Sequence, residues 1–280
     1  MEALLTSYGE ASSESDSESA PTSSKDSSPL PPPPLSLLNP PNSLGARDYS
    51  HGGQASRVRT FPHVEGNYAL HVYIPVYIPS EPKKDLANFL KKVARVVPGL
   101  SGVDVDVPLD TLCKDDQKLE EIALGRELHI SLGRTVPIRR HQIDSVVTML
   151  RQKLQLHTRY WIDFSKWEVF VNDDYTRTFL SLEVISAGLA EIRKQIQAVN
   201  EVYKLHNLPE FYKNPRPHIS LAWASGDISK SLKNVIQEKR RLSVGGSQRK
   251  CNFTCKFNGV ECKHDGIKPS VNLSMAASGQ

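Results

Sequence analysis

Apolar residues recur along this chain with two rhythms, one of period two and one near 3.6. Period-two segments rich in Val, Ile and aromatic residues predict strands over Tyr68–Ile78, Val103–Val107, Glu127–Leu132, Tyr160–Val171, Arg177–Ile185 and Pro217–Trp223. Pro75 confines the first of these to an edge or an end. Helical spacing predicts Glu81–Val97, with Leu86, Phe89, Leu90 and Val93 on one face, and Pro137–Leu156, with Pro137 in its first turn. It also predicts Ser186–His206, with Ser186 as N-cap, and Asp227–Arg240. Asn172–Thr176 reads as a turn, and Pro108–Gly125 as a loop with a helical piece. Near the end, Asn252–Phe257 and Val260–Lys263 read as strands joined into a hairpin by Asn258-Gly259. Helices and hairpin-connected strands mixed in this way predict an α+β fold rather than a doubly wound parallel sheet.

The pattern is absent from residues 1–45, which hold twelve Ser and eight Pro and few bulky apolar residues. Such a segment cannot offset the entropy of ordering by burial, so it is expected to be a disordered tail. Charge divides at the same place. Residues 1–45 carry one Lys against six Asp or Glu, whereas the rest carries 34 basic and 25 acidic residues, a net of +9. That excess suits either a polyanionic partner or an ordinary basic surface. No run of eighteen apolar residues occurs, so no transmembrane helix is expected. Met1–Glu10 lacks a basic patch and an apolar core, and the four cysteines are too few for a disulfide scaffold. The expectation is an intracellular protein with reduced thiols.

Two segments match each other: Leu128-His129-Ile130-Ser131-Leu132 and Pro217-His218-Ile219-Ser220-Leu221. Strand alternation puts His129 with Ser131 on one face, and Leu128, Ile130 and Leu132 on the other. In the second copy His218 and Ser220 share a face, with Ile219, Leu221 and Trp223 opposite. An internal duplication with a pseudo-two-fold axis would bring both pairs to one cleft. Two imidazoles can then act as general base and general acid near neutral pH, and two hydroxyls can donate to phosphate oxygens. This suits cleavage of an RNA phosphodiester by its own 2′-hydroxyl, and needs no metal or other cofactor.

With these motifs the chain resembles the two-histidine phosphoesterase superfamily. More closely, it resembles the U6 small nuclear RNA phosphodiesterase family. The resemblance rests on Arg57-Val58-Arg59-Thr60-Phe61-Pro62-His63, Thr176-Arg177-Thr178-Phe179 with Leu182-Glu183-Val184, Phe211-Tyr212, and His218-Ile219-Ser220-Leu221-Ala222-Trp223. It spans residues 52–272 and leaves 273–280 as a flexible terminus. It implies a two-lobed, pseudo-symmetric α+β fold, with antiparallel sheets flanking a central cleft and helices outside. It implies a nuclear 3′-to-5′ exoribonuclease that trims the single-stranded, uridine-rich 3′ end of U6 small nuclear RNA and leaves a 2′,3′-cyclic phosphate or, after opening, a monoester. No membrane is involved, and a closed two-lobed fold is expected to be a monomer.

By the same resemblance His129 and His218 are the catalytic pair, Ser131 and Ser220 phosphate ligands, and Tyr212 the ring on which the terminal base stacks. Relatives suggest His218 as base and His129 as acid, although a pseudo-symmetric site permits either assignment. Pro217 stands where relatives often have an aromatic, Arg134 is a candidate phosphate contact, and Asp173 a candidate base or backbone contact. Arg177 reads as a structural strand residue. The stretch Pro98–Arg126 looks longer than in animal relatives.

Cys251, Cys255, Cys262 and His264 do not have a common zinc spacing, and the hairpin reading places them in strands. His71, His141, His157 and His206 are scattered and read as structural or exposed. Competing readings are a phosphodiesterase acting on small cyclic phosphates or tRNA ends, an RNA-binding module without chemistry, and a scaffold that works through its Ser/Pro tail.

Overall fold

The computed structural model describes residues 64–105, 107–155, 159–243, 252–264 and 267–275. The chain divides into a unit of residues 1–53, outside that range, and a unit of residues 54–280, to which everything below refers. The tail read over 1–45, the segment Arg57–His63, His157, Gly245-Gly246 and Cys251 lie outside the described residues.

In chain order the elements are β1 (Asn67–Val76), α1 (Ser80–Val96), β2 (Ser101–Gly102), α2 (Leu109–Leu112), α3 (Asp116–Lys118), a π-helical segment (Leu119–Leu124), β3 (Leu128–Ser131) and β4 (Val136–Arg139). There follow α4 (Arg140–Leu154), β5 (Trp161–Val171), β6 (Arg177–Val184), α5 (Leu189–Leu205), β7 (His218–Ser225), α6 (Ser229–Ser243), β8 (Phe253–Lys256), β9 (Gly259–His264) and β10 (Ile267–Met275).

The strands form two five-stranded sheets. The first runs β10-β9-β1-β3, with β4 also pairing β1, and the second runs β2-β7-β6-β5-β8. Every pairing is antiparallel, so the α+β expectation holds. Each sheet turns one face to a continuous apolar core, through Leu70, Val72, Ile74, Leu128 and Ile130 in the first and Leu180, Leu182, Ile219 and Leu221 in the second. Helix α4 packs on α5 and against β4 and β10, and α6 packs against β5 and α1. The helices thus cover the apolar faces, and the opposite faces keep the polar side chains. Strand β3 lies against β7, so the two His-x-Ser strands meet where the sheets adjoin.

Several local expectations are corrected. Pro137 lies in β4, not in a helix: Val136 and Ile138 are buried while Pro137 and Arg139 are exposed, the alternation of a strand. Pro137 pairs with Ala69 at a sheet edge, where a missing N–H is tolerated. Helix α4 starts three residues later, where Gln142 Oε1 accepts the Arg139 N–H at 2.9 Å. Gly188, not Ser186, is the N-cap of α5. Its φ of 84° suits glycine, and a Cβ there would lie 2.8 Å from the Trp161 carbonyl. The strand expected at Val103–Val107 is only Ser101–Gly102, and the chain turns at Asp104, whose φ is +61°.

Asn258-Gly259 does not close a hairpin. Strand β8 pairs with β5 in the second sheet, whereas β9 pairs with β1 and β10 in the first. Phe257 causes the parting: it is buried, stacks on Tyr160 at 4.6 Å, and its N–H donates to the Tyr160 carbonyl. The second partner of β9 is β10, which runs to Met275.

Candidate active site

Antiparallel partners carry their side chains on the same face. On the polar face of the first sheet, Tyr73 therefore stands beside Ser131 and Pro75 beside His129. On the second, Glu183 stands beside His218 and Ser181 beside Ser220. Alternation places each histidine with its serine as expected, both half-buried on the polar face.

The serines are held in parallel ways. Ser131 Oγ lies 3.0 Å from His71 Nε2, and Ser220 Oγ lies 2.9 Å from Ser181 Oγ. Each motif hydroxyl thus has a polar partner on the long strand beside it. His71 is therefore part of the site, contrary to its reading as a scattered structural histidine. It stacks on Tyr73 at 5.1 Å and meets the edge of His129 at 5.0 Å. Burial, then the nearby His129 and Lys263, lowers its pKa to about 3, so it is neutral at physiological pH. The signal was its place two residues before Tyr73 in a period-two strand.

The two catalytic candidates sit in unlike surroundings. His218 Nδ1 donates to the Arg216 carbonyl at 2.7 Å, and its ring stacks on Phe170 at 3.8 Å. Burial lowers its pKa. The Arg216 carbonyl and Glu183 raise it, and His129 and Arg216 lower it further. His129 has the Asp104 carboxylate 3.8 Å from Nδ1, and Tyr73 edges its ring at 5.7 Å. Burial lowers the pKa of His129 too, and Asp104 is the strongest influence opposing that. A carbonyl acceptor fixes His218 with a bare Nε2 when neutral, whereas a carboxylate favours the charged form of His129.

Arg216 is itself clamped. Its Nε donates to Glu183 Oε1 at 2.6 Å, and Nη2 to Glu183 Oε2 at 2.7 Å and Glu168 Oε2 at 2.9 Å. Lys166 reaches both carboxylates, and the guanidinium lies over Phe170 at 4.7 Å. Burial pushes the Glu168 carboxyl up, but bonds from Lys166, the Val169 N–H and Arg216 outweigh it and bring it to about 2.

A third cluster gathers three predicted residues. Arg134 Nη1 donates to Asp173 Oδ2 at 2.8 Å, its guanidinium covers the Tyr212 ring at 4.3 Å, and the Tyr212 hydroxyl donates to the same Asp173 oxygen at 3.4 Å. Asp173 is thus neutralised by Arg134. Asn200 Oδ1 accepts the Phe211 N–H at 2.8 Å and fixes the backbone that presents Tyr212, which is 45% exposed. Pro217 is buried, and its carbonyl accepts the Val184 N–H; it does not join the histidines.

Trp223 is placed differently from its sequence reading. The β6–β7 register shifts between Leu180↔Ala222 and Ser181↔Ser220, so Leu221 is an extra residue. Beyond this bulge Trp223 pairs with Phe179 and faces the same way as His218 and Ser220, under the Arg177 guanidinium at 5.4 Å. Among the described residues no three His, Cys, Asp or Glu side chains come together to hold a metal ion, and Cys255 and Cys262 lie in different sheets.

Two His-x-Ser strands, one from each sheet and lying against one another, define a two-histidine phosphoesterase. Among known proteins, mouse U6 snRNA phosphodiesterase 1 is 32% identical over 238 residues, covering 84% of this chain and 79% of the relative. The human protein of that name is 33% identical over 246 residues, covering 84% and 83%. The chain belongs to the U6 small nuclear RNA phosphodiesterase family. A family model, HVSL, described as an uncharacterised conserved protein, matches residues 31–268. Among solved structures, Kluyveromyces marxianus Usb1 is similar with a TM-score of 0.47 at 13% identity, over 73% of this chain and 97% of that one.

Proposed function

We propose that this chain is an RNA phosphodiesterase that removes nucleotides one at a time from the uridine-rich 3′ end of U6 small nuclear RNA, in the nucleus and as a monomer. The observation that carries the reading is the unlike setting of the paired histidines: a carbonyl on His218 Nδ1 and a carboxylate near His129 Nδ1. Family membership supports the substrate.

His218 Nε2 takes the proton of the penultimate 2′-hydroxyl. The 2′-oxygen bonds to phosphorus, the bond from phosphorus to the terminal 5′-oxygen breaks, and His129 gives that oxygen its proton. The shortened RNA keeps a 2′,3′-cyclic phosphate, and a nucleoside with a 5′-hydroxyl leaves. Each proton transfer is worth about 10²–10⁴ in rate. His71 donating from Nε2 leaves the Ser131 proton free for a phosphate oxygen, and Ser181 does the same for Ser220. With water in place of the departed 5′-hydroxyl and the roles reversed, His129 takes the water proton, the water oxygen bonds to phosphorus, and His218 protonates the 2′-oxygen as its bond to phosphorus breaks, which opens the cyclic phosphate. The half-exposed Tyr212 ring holds the terminal base, with Arg134 over one of its faces.

The test is an oligouridine RNA incubated with the full chain in EDTA, beside the same RNA with a 2′-deoxynucleotide at the penultimate position. Stepwise shortening of the first alone, lost in His129→Ala and His218→Ala, is expected. Shortening of both would rule out attack by the 2′-hydroxyl.

A further inference from the structure

Row by row, the polar face of the first sheet presents Pro75 beside His129, Glu261 and Tyr73 beside Ser131, and Lys263 beside His71. Lys263 therefore extends from the face that carries the His71–Ser131 contact. The other cations around the site are engaged: Arg126 with Asp104, Arg134 with Asp173, and Arg216 and Lys166 with Glu168 and Glu183. Lys263 is exposed and, among the described residues, has no carboxylate within ion-pair distance. The nearest acid on its own strand face, Glu261, accepts the Tyr73 hydroxyl at 3.1 Å. The ammonium nonetheless acts on the site, since it lowers the pKa of both His71 and His129.

An ammonium on a flexible stem binds phosphate as a point charge with rotatable donors. A lysine without a counter-ion, set beside the histidine that bonds Ser131 and on the same sheet face, is arranged for that task. We propose that Lys263 is a further substrate-binding residue, its ammonium contacting a non-bridging oxygen of the RNA phosphate seated at Ser131. This rests on the RNA phosphodiesterase reading above. Ser131 supplies a neutral donor there and Lys263 the charge, so the first sheet gives the phosphate an electrostatic anchor, while Lys166 and Arg216 beside His218 remain committed to carboxylates.

The experiment measures the affinity of the full chain for an oligouridine with a 2′-deoxynucleotide at the penultimate position, as a function of salt. One lost phosphate contact on a single strand lowers the slope of log K against log salt by about 0.7. Lys263→Met is expected to show that smaller slope and about tenfold weaker binding at low salt. Lys263→Arg is expected to restore both. Lys194→Met, which removes a charge from the exposed side of α5, controls for general loss of basicity. An unchanged slope and affinity in Lys263→Met, while the parent chain shortens the all-ribose RNA, overturns the proposal and leaves the phosphodiesterase reading standing. A parent chain that neither shortens the ribose RNA nor binds the deoxy analogue overturns that reading, and this proposal with it.

Discussion

The carbonyl oxygen of Arg216 accepts the Nδ1 proton of His218 at 2.7 Å, and the same residue's guanidinium is pinned by Glu183 and Glu168. One residue thus fixes the tautomer of the proposed base through its backbone and anchors that backbone through its side chain. Its guanidinium also lies on Phe170, the ring against which His218 stacks.

Arg216→Ala is accordingly expected to lower kcat about tenfold to a hundredfold, with little change in KM, because a positioned base is worth about 10²–10⁴. Arg216→Lys, which cannot form the fork, should lie between the two. Nitrogen-15 spectra of the imidazoles separate positioning from mere stability: His218 should be the Nδ1–H tautomer in the parent chain and a mixture in Arg216→Ala. A single unchanged tautomer with reduced kcat would disprove this role.

Asp104 acts on the other histidine. Its carboxylate opposes the lowering of the His129 pKa by burial, so Asp104→Asn should lower that pKa further. The acid form is then lost at lower pH, and the alkaline limb of the profile of kcat/KM against pH moves to lower pH. Asn tolerates the positive φ of this position, so the fold should persist. An alkaline limb that stays in place would detach Asp104 from the chemistry.

Tyr212→Ala removes the stacking ring. A base on an aromatic face is worth about 1–3 kcal/mol, so KM for oligouridine should rise roughly fivefold to over a hundredfold. Tyr212→Phe keeps the ring and loses only a 3.4 Å bond to Asp173, and should stay within a few fold of the parent. Equal damage from both variants would make the hydroxyl, not the ring, the important part.

His71 makes stability depend on pH. Its folded pKa of about 3 lies below the ordinary imidazole value of about 6.5, so the unfolded chain takes up a proton that the folded chain refuses. The contribution is intact above about pH 6.5 and falls by about 1.4 kcal/mol per unit as pH drops towards 3. His71→Gln should flatten the urea-derived stability curve between pH 6.5 and 5 relative to the parent chain. Parallel curves would show that His71 does not titrate as its burial implies.

Sequence legibility follows how local the determining physics is. The His-x-Ser faces could be read because strand alternation is a two-residue rule, and Leu86, Phe89, Leu90 and Val93 because one amphipathic helix declares its own buried side. Trp223 could not be placed, since a bulge at Leu221 appears only when β6 is laid against β7. Asn258-Gly259 misled because the buried stack of Phe257 on Tyr160 overrides a local turn preference. Arg134, Asp173 and Tyr212 were each singled out, but their meeting depends on three separate loops. Pro217 was singled out because relatives often have an aromatic there, and the structure buries it with its carbonyl bonded to the Val184 N–H.

The parting of β8 from β9 bears on how this architecture can be taken apart. The backbone passes between the sheets after β1, after β2, after β4 and again after β8. A single scission anywhere between β2 and β8 therefore leaves neither fragment with a full sheet. Split-protein fragments would have to interlace rather than dock, and neither could be pre-folded before meeting the other. The half-sites look like modules, yet the thread that carries them is stitched, so a cut between acid and base leaves no intact sheet beneath either.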